Sequence, residues 1–207
     1  MIKKWISQSN FRVGRNGQKP IIIIIHVGDG SQRDIYNTFA NPRTEKSSHY
    51  SVDRNGELWQ FVEEQNSAFC NGVVWNPTSE IVREFWTRGI NINDISVGIE
   101  HSGYGNEDIT EAQYQTTARL INDIAIRWAI SLDRKHILRH NEIRGNKICP
   151  GKIDVDRLLR MAIQIRDFQP AEKKTEEIQQ EISKLQQIVA LLNKIKFLRD
   201  LINKYKQ

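Results

Sequence analysis

The chain has 207 residues, 39% hydrophobic and 27% charged, enough for one ordinary domain plus an extra segment. No stretch approaches the roughly 20 apolar residues that cross a bilayer, which argues against membrane insertion, and two cysteines, Cys70 and Cys149, are too few for a disulfide framework. A net charge of +5 favours anionic partners such as nucleic acid, anionic lipid or wall polymers, but no arginine cluster or aromatic-interleaved basic patch marks a nucleic-acid binder.

The first segment, Met1-Ile2-Lys3-Lys4-Trp5-Ile6-Ser7, has the charge of a signal peptide but no apolar h-region, so Sec-type export is not expected. Residues 21–27 read as a buried central strand, because five consecutive isoleucines are β-branched and wholly apolar. His26 closes that run on rigid backbone before the loop Val27-Gly28-Asp29-Gly30, a suitable place for a metal ligand. Taken alone, it is more simply read as a satisfied polar residue. Residues 49–53 and 57–62 flank Asn55-Gly56, a hairpin turn signal, and their alternation predicts a half-buried hairpin. Residues 95–100 form a further strand ending in Glu100. Thr110 is a fitting N-cap for an amphipathic helix reaching about residue 130, with Tyr114, Ala118, Ile121, Ile124, Ala125 and Trp128 on its apolar face. A short strand over 137–140 ends in His140, and residues 154–165 form a closing helix. The pattern is α/β: a central mixed sheet flanked by helices.

Composition changes near Pro170, dividing the chain into a domain over 1–168 and a helical segment over 169–207. Residues 172–207 contain no Gly or Pro. Ile178, Ile182, Leu185, Val189 and Leu192 step by four and three, a heptad seam. The seam meets Lys196 and resumes out of register through Ile195, Leu198 and Ile202, beside a second stripe of Ile188, Leu191, Ile195 and Leu198. One helix, or a helical hairpin broken near Asn193, must bury this surface against its own domain or in a homo-oligomer.

His26, His140 and Cys149 offer two imidazoles and a thiolate from separate elements, the composition of a zinc site whose fourth position stays open to water. Cys149 also reads as a small buried hydrophobe. The surrounding residues add to this. Four pieces occur in order: 21–26 ending in His26; Ser47-Ser48-His49-Tyr50-Ser51-Val52-Asp53-Arg54-Asn55-Gly56 with Glu57-Leu58-Trp59-Gln60-Phe61-Val62; Ile95-Ser96-Val97-Gly98-Ile99-Glu100; and Ile137-Leu138-Arg139-His140 through Cys149-Pro150-Gly151. Together they resemble the zinc-dependent N-acetylmuramoyl-L-alanine amidases of the type-2 domain, which include phage amidase-type lysozymes and peptidoglycan recognition proteins. The resemblance spans roughly residues 18–165.

It implies an amidase-like α/β fold and a Zn2+ cofactor held by His26, His140 and Cys149. It implies Glu100 as an acid/base residue and Lys147 as a catalytic assistant; His49 matches a motif histidine with a structural role. The implied reaction cleaves the bond between the lactyl group of N-acetylmuramic acid and L-alanine by zinc-activated water. Many relatives carry Ala-Trp-His-Ala-Gly where this chain has Ala68-Phe69-Cys70-Asn71-Gly72, so Cys70 stands in for a histidine and is read as a packed small residue. Residues 73–93, with Trp75 and Trp86, are expected to form a loop beside the groove, the aromatics stacking on substrate or packing in the core. Without a signal peptide, a phage or prophage endolysin that reaches the wall after holin-type release is favoured. A cytoplasmic muropeptide-recycling amidase and a non-catalytic peptidoglycan-binding module are the alternatives. Wall targeting by the lysine-rich tail is a further option.

Overall fold

The computed structural model describes residues 2–5, 9–168, 179, 181–192 and 194–195. They fall in two units, Met1–Arg166 and Asp167–Gln207. The first unit runs β1 (Lys3–Lys4), β2 (Phe11–Arg12), β3 (Ile22–Ile25), α1 (Gln32–Ala40), β4 (Tyr50–Val52), β5 (Leu58–Gln60), β6 (Ser67–Ala68), α2 (Glu80–Thr87), β7 (Ser96–His101), α3 (Glu111–Trp128), β8 (Ile137–Arg139) and α4 (Val155–Asp167), whose last residue belongs to the second unit. Six strands form one mixed sheet in the order β1-β5-β4-β7-β3-β8, and β2 pairs with β6.

The isoleucine run is buried because both faces of β3 are covered. Side chains alternate along a strand. Ile23 and Ile25 join a cluster with Val97, Ile99 and Ile137, roofed by Leu120, Ile121 and Ile124 of α3 and by Val155, Leu158 and Ala162 of α4. Ile22 and Ile24 pack on the opposite face with Ile95, Leu138 and Val82 of α2. Each such side chain contributes about 1.5–3 kcal/mol on burial, so a continuous apolar run is favoured here over an alternating one. β3 is interior rather than central, since only the three-residue β8 lies outside it. An edge strand that short offers little backbone for unwanted pairing. A third cluster packs Ile35 and Phe39 of α1 against Phe61, Val62 and Ala68.

The hairpin forms as expected, with Tyr50 opposite Gln60 and Val52 opposite Leu58. Asp53 N–H donates to the Glu57 carbonyl (2.9 Å) and Gly56 N–H to the Asp53 carbonyl (2.7 Å). Gly56 sits at φ +84° while Asn55 keeps a negative φ, so a left-handed glycine closes a three-residue loop. β4 is buried at all three positions, not at alternate ones. Tyr50 and Val52 enter the cluster under α3, and Ser51 on the other face accepts the Gln32 amide at 2.5 Å.

α3 begins at Thr110, whose hydroxyl accepts from Gln113 N–H while the Gln113 side chain returns to the Thr110 N–H, a capping box. Two helices differ from the sequence reading. α1 starts at Ser31 with a capping box to Asp34, where no element is expected. α2 replaces much of the loop expected over 73–93. Both are short, and α2 buries a single residue, Val82, so neither carries a periodic stripe of useful length.

In the second unit, residues 181–192 are helical. Ile182, Leu185, Val189 and Leu192 of the heptad seam are exposed there, as are Ile188, Leu191 and Ile195. Ile178, Asn193, Lys196, Leu198 and Ile202 lie outside the described residues. No helix among the described residues is long and apolar enough to cross a membrane.

A candidate metal centre at the strand ends

The site is a consequence of register. β3 runs parallel to β7 and β8, with Ile25 facing Ile99 on one side and Arg139 on the other. One step further places His26, Glu100 and His140 in one row at the carboxyl ends of three parallel strands, where open α/β sheets bind ligands. Ile25 points under α3 and α4, so alternation turns His26 to the opposite face. There a cleft of about 720 Å³ opens, lined by His26, Asp29, Lys46, Cys70, Glu100, His140, Arg144, Lys147 and Cys149 among others.

Each donor is anchored. His26 N–H donates to the Ile99 carbonyl (2.9 Å), and the His26 carbonyl accepts from His101 N–H (3.1 Å). The His101 ring, fully buried behind the strand, donates from Nδ1 to that same carbonyl at 2.9 Å and accepts the Thr117 hydroxyl at Nε2 at 2.8 Å. His140 donates from Nε2 to the Asn71 carbonyl at 3.2 Å, which fixes the tautomer and leaves Nδ1 with its lone pair. Cys149 arrives on the loop after His140. Its carbonyl accepts from Asn141 N–H (2.9 Å), and its Sγ accepts from Val27 N–H (3.3 Å) and lies 3.9 Å from His26 Nδ1. The two imidazole rings are 4.5 Å apart, and the three donor atoms lie within 4.8 Å of one another.

Gly151 holds this loop down. A Cβ there would sit 2.1 Å from the Gly105 carbonyl oxygen, and Gly151 adopts φ +66°. Only glycine fits both the left-handed backbone and that close approach.

The electrostatics suit a cation. Burial holds His26 well below the ordinary imidazole range, helped by His140, His101 and His49. Burial also lowers His140 to about 4, against the Asn71 bond and with help from Lys147 and Arg144. Both rings are therefore neutral at neutral pH. Burial, followed by the Glu100 charge, pushes the Cys149 thiol up, so a nearby cation is what would stabilise its thiolate. His26 Nε2 is buried without a protein partner. Two neutral imidazoles, one of them with an unsatisfied buried nitrogen, and a thiol fit a divalent metal with nitrogen and sulfur preference.

Glu100 is half-buried in the cleft wall, with Oε2 out of water and unpartnered. Burial and then Asp29 push its carboxyl up to about 8, with Lys46 opposing, so it can exchange a proton near neutral pH. Lys147 is exposed and lines the cleft from the loop between His140 and Cys149. His49 is not in the cleft lining: fully buried, it accepts Gly98 N–H at Nδ1 (3.0 Å) and donates from Nε2 to the Asn66 carbonyl (3.1 Å). Cys70 packs where a Cβ on Gly98 would come within 2.6 Å of its sulfur, and it also lines the cleft. Burial, then Glu100, raises its thiol to about 12. Trp75 and Trp86 are exposed rather than packed in the core, and neither lines the cleft. Asp29, Lys46 and Arg144 join the cleft lining without a sequence signal of their own, and His101 backs it from behind the strand. His101 alone had one, as the next residue of the strand that carries Glu100.

Comparison with known proteins follows the fold. No curated protein matches the chain. A selenomethionine derivative of AmpD matches with a TM-score of 0.60 and 22% identity over 77% of this chain and 93% of that one. A mutant endolysin from Bacillus subtilis matches with 0.57 and 22% over 78% and 98%. The N-acetylmuramoyl-L-alanine amidase LysC from Clostridium intestinale matches with 0.55 and 14% over 76% and 94%. These likenesses establish a shared fold, a mixed sheet flanked by helices. Residues 16–152 match the family model described as N-acetylmuramoyl-L-alanine amidase, and the chain belongs to that family.

Proposed function

We propose that the chain is a zinc-dependent peptidoglycan amidase that cleaves the amide between the lactyl group of N-acetylmuramic acid and L-alanine, and that it works as a cell-lysis endolysin. The observation that carries this is the row of His26, Glu100 and His140, one residue beyond paired Ile25, Ile99 and Arg139, with Cys149 folded onto it. His26, His140 and Cys149 would hold the metal. When bound, zinc supplies Lewis acidity, lowering the pKa of water to about 7 and polarising the scissile carbonyl.

The remaining steps belong to the protein's own groups. Glu100 in its carboxylate form takes a proton from the attacking water and returns it to the leaving amine nitrogen, and a carboxyl pushed up to about 8 gives that proton back readily near neutral pH. The Lys147 ammonium, on the exposed rim of the cleft, offsets negative charge developing on the carbonyl oxygen. Asn71 and His101 position the two histidines. Residues 1–168 would form the catalytic domain and residues 169–207 a helical segment for homo-oligomerisation or wall targeting. The exposed apolar positions of helix 181–192 support the first of those roles for the tail. The lysis role draws support from the family and from the likeness to an endolysin fold. On this reading the protein acts at the bacterial wall, after holin-type release.

Metal analysis of the wild-type protein and Cys149→Ala, with clearing of intact sacculi, tests the mechanism. The wild type should carry about one zinc per chain and clear; the variant should do neither. Clearing by metal-free protein would refute the zinc reading. Activity on soluble anhydro-muropeptides with none on sacculi would replace lysis by a recycling role.

A further inference from the structure

Arg144 has no role in the mechanism above, yet it is a cation of the cleft wall with a buried donor left unpaired. It lines the cleft and is only half-exposed. It forms no ion pair among the described residues. Its Nε is buried and has no hydrogen-bond partner. A buried donor left unmade is costly and calls for an explanation, and no described residue supplies its acceptor. Several of the other arginines in the unit pair with carboxylates, as Arg127 does with Glu64 (2.6 Å) and Arg139 with Asp156 (2.9 Å).

The backbone that carries the side chain is held in place. Arg144 N–H donates to the His140 carbonyl (3.0 Å), and its backbone bridges to Trp75, whose carbonyl accepts from Gly145 N–H (2.8 Å). Its Nη1 lies over Gly72, where an added Cβ would come within 2.9 Å, and Gly72 has φ +61°. Gly72 thus leaves the space the guanidinium occupies. A fixed, planar guanidinium presents paired donors that match a carboxylate and not a neutral amide.

We infer that Arg144 is a specificity residue that binds a free carboxylate of the peptide stem, that of the glutamyl residue next to the scissile L-alanine. This rests on the amidase reading, because it takes that stem to be the occupant of the cleft. Where that carboxyl is amidated the fork has only one acceptor oxygen and no charge to meet, so the enzyme discriminates against amidated stems.

The test compares N-acetylmuramoyl-L-alanyl-D-isoglutamyl peptides with their isoglutaminyl counterparts, using full-length zinc-loaded protein, by turnover and by calorimetric binding. Wild type should favour the free acid. Arg144→Gln should raise KM for the free acid by roughly ten- to a hundredfold, the loss of a charge-assisted bond, and change the amidated substrate by less than about threefold. Arg144→Lys should recover part of the preference, and zinc content should stay at the wild-type value in both variants. Equal losses on the two substrates, or none on either, would overturn the assignment while leaving the amidase intact. Arg144-dependent binding of the free acid without turnover would uphold the anion site and sink the amidase reading. Neither binding nor turnover would remove both.

Discussion

Gly151→Ala should loosen the loop that delivers Cys149, and the size of the effect can be worked from the structure. The alanine must hold φ +66°, a left-handed conformation that costs about 1–2 kcal/mol. Its Cβ would stand 2.1 Å from the Gly105 carbonyl oxygen, and that is backbone that cannot rotate away. Moving Gly105 strains two bonds, Lys152 N–H to the Gly105 carbonyl (3.2 Å) and Gly105 N–H to Asp29 Oδ1 (3.2 Å), each worth about 1 kcal/mol. The total is about 3–4 kcal/mol, or roughly a 10 °C fall in Tm for a unit of this size. Gly17→Ala is the internal control. Gly17 sits at φ +77° with nothing within 4 Å of an added Cβ, so it should show only the conformational part, about 1–2 kcal/mol. Urea unfolding of both variants, with a zinc titration, measures the difference. Zinc affinity should fall for Gly151→Ala and hold for Gly17→Ala. Equal destabilisation by the two substitutions would refute the close-approach argument.

Metal-free protein should lose stability as pH drops below the ordinary imidazole value of 6.5, because His49 is lowered to about 3, His101 and His140 to about 4, and His26 well below 6.5. In that window the unfolded chain binds protons the folded chain refuses, at about 1.4 kcal/mol per pH unit per histidine. Urea midpoints equal at pH 7 and pH 5 would contradict this. Glu100 acts in the opposite sense: its folded value of about 8 stands above 4.5, so it stabilises the folded state at low pH and loses that contribution as pH climbs through this range. One carboxyl against four histidines leaves the net trend downward in acid. Glu100→Gln should accordingly gain on the wild type as pH rises from 5 to 8, and a constant gap between their unfolding curves would tell against a raised carboxyl. Lys147→Ala should retain zinc and fold normally while kcat falls by about a hundredfold, as for a lost oxyanion donor; loss of zinc would instead make it a structural residue. A chain ending at Phe168 should run as a monomer by light scattering if the tail drives association, and an unchanged mass per particle relative to full length would dismiss that role.

Sequence by itself determined the elements whose signals are local. The β-branched isoleucine run reads as a buried strand and Ile22–Ile25 form it, Thr110 reads as the N-cap of a long helix, and Asn55-Gly56 reads as a hairpin turn; each depends on residues within a few positions. It also pointed to His26, Glu100, His140, Lys147 and Cys149 as residue types in a familiar order. Short α1 and α2 escaped because two turns of helix carry too few apolar positions to show a period. Tertiary structure alone decided that His26, Glu100 and His140 share one row, since parallel register is set by pairing between strands 74 and 114 residues apart in the numbering from His26 to Glu100 and to His140. It likewise decided that Gly151 packs on Gly105 to bring Cys149 home, that His101 braces the first histidine from behind, and that Arg144 stands in the cleft without an acid. Those facts depend on long-range contacts and on burial, which raise Glu100 and lower the histidines. No periodicity along the chain encodes them.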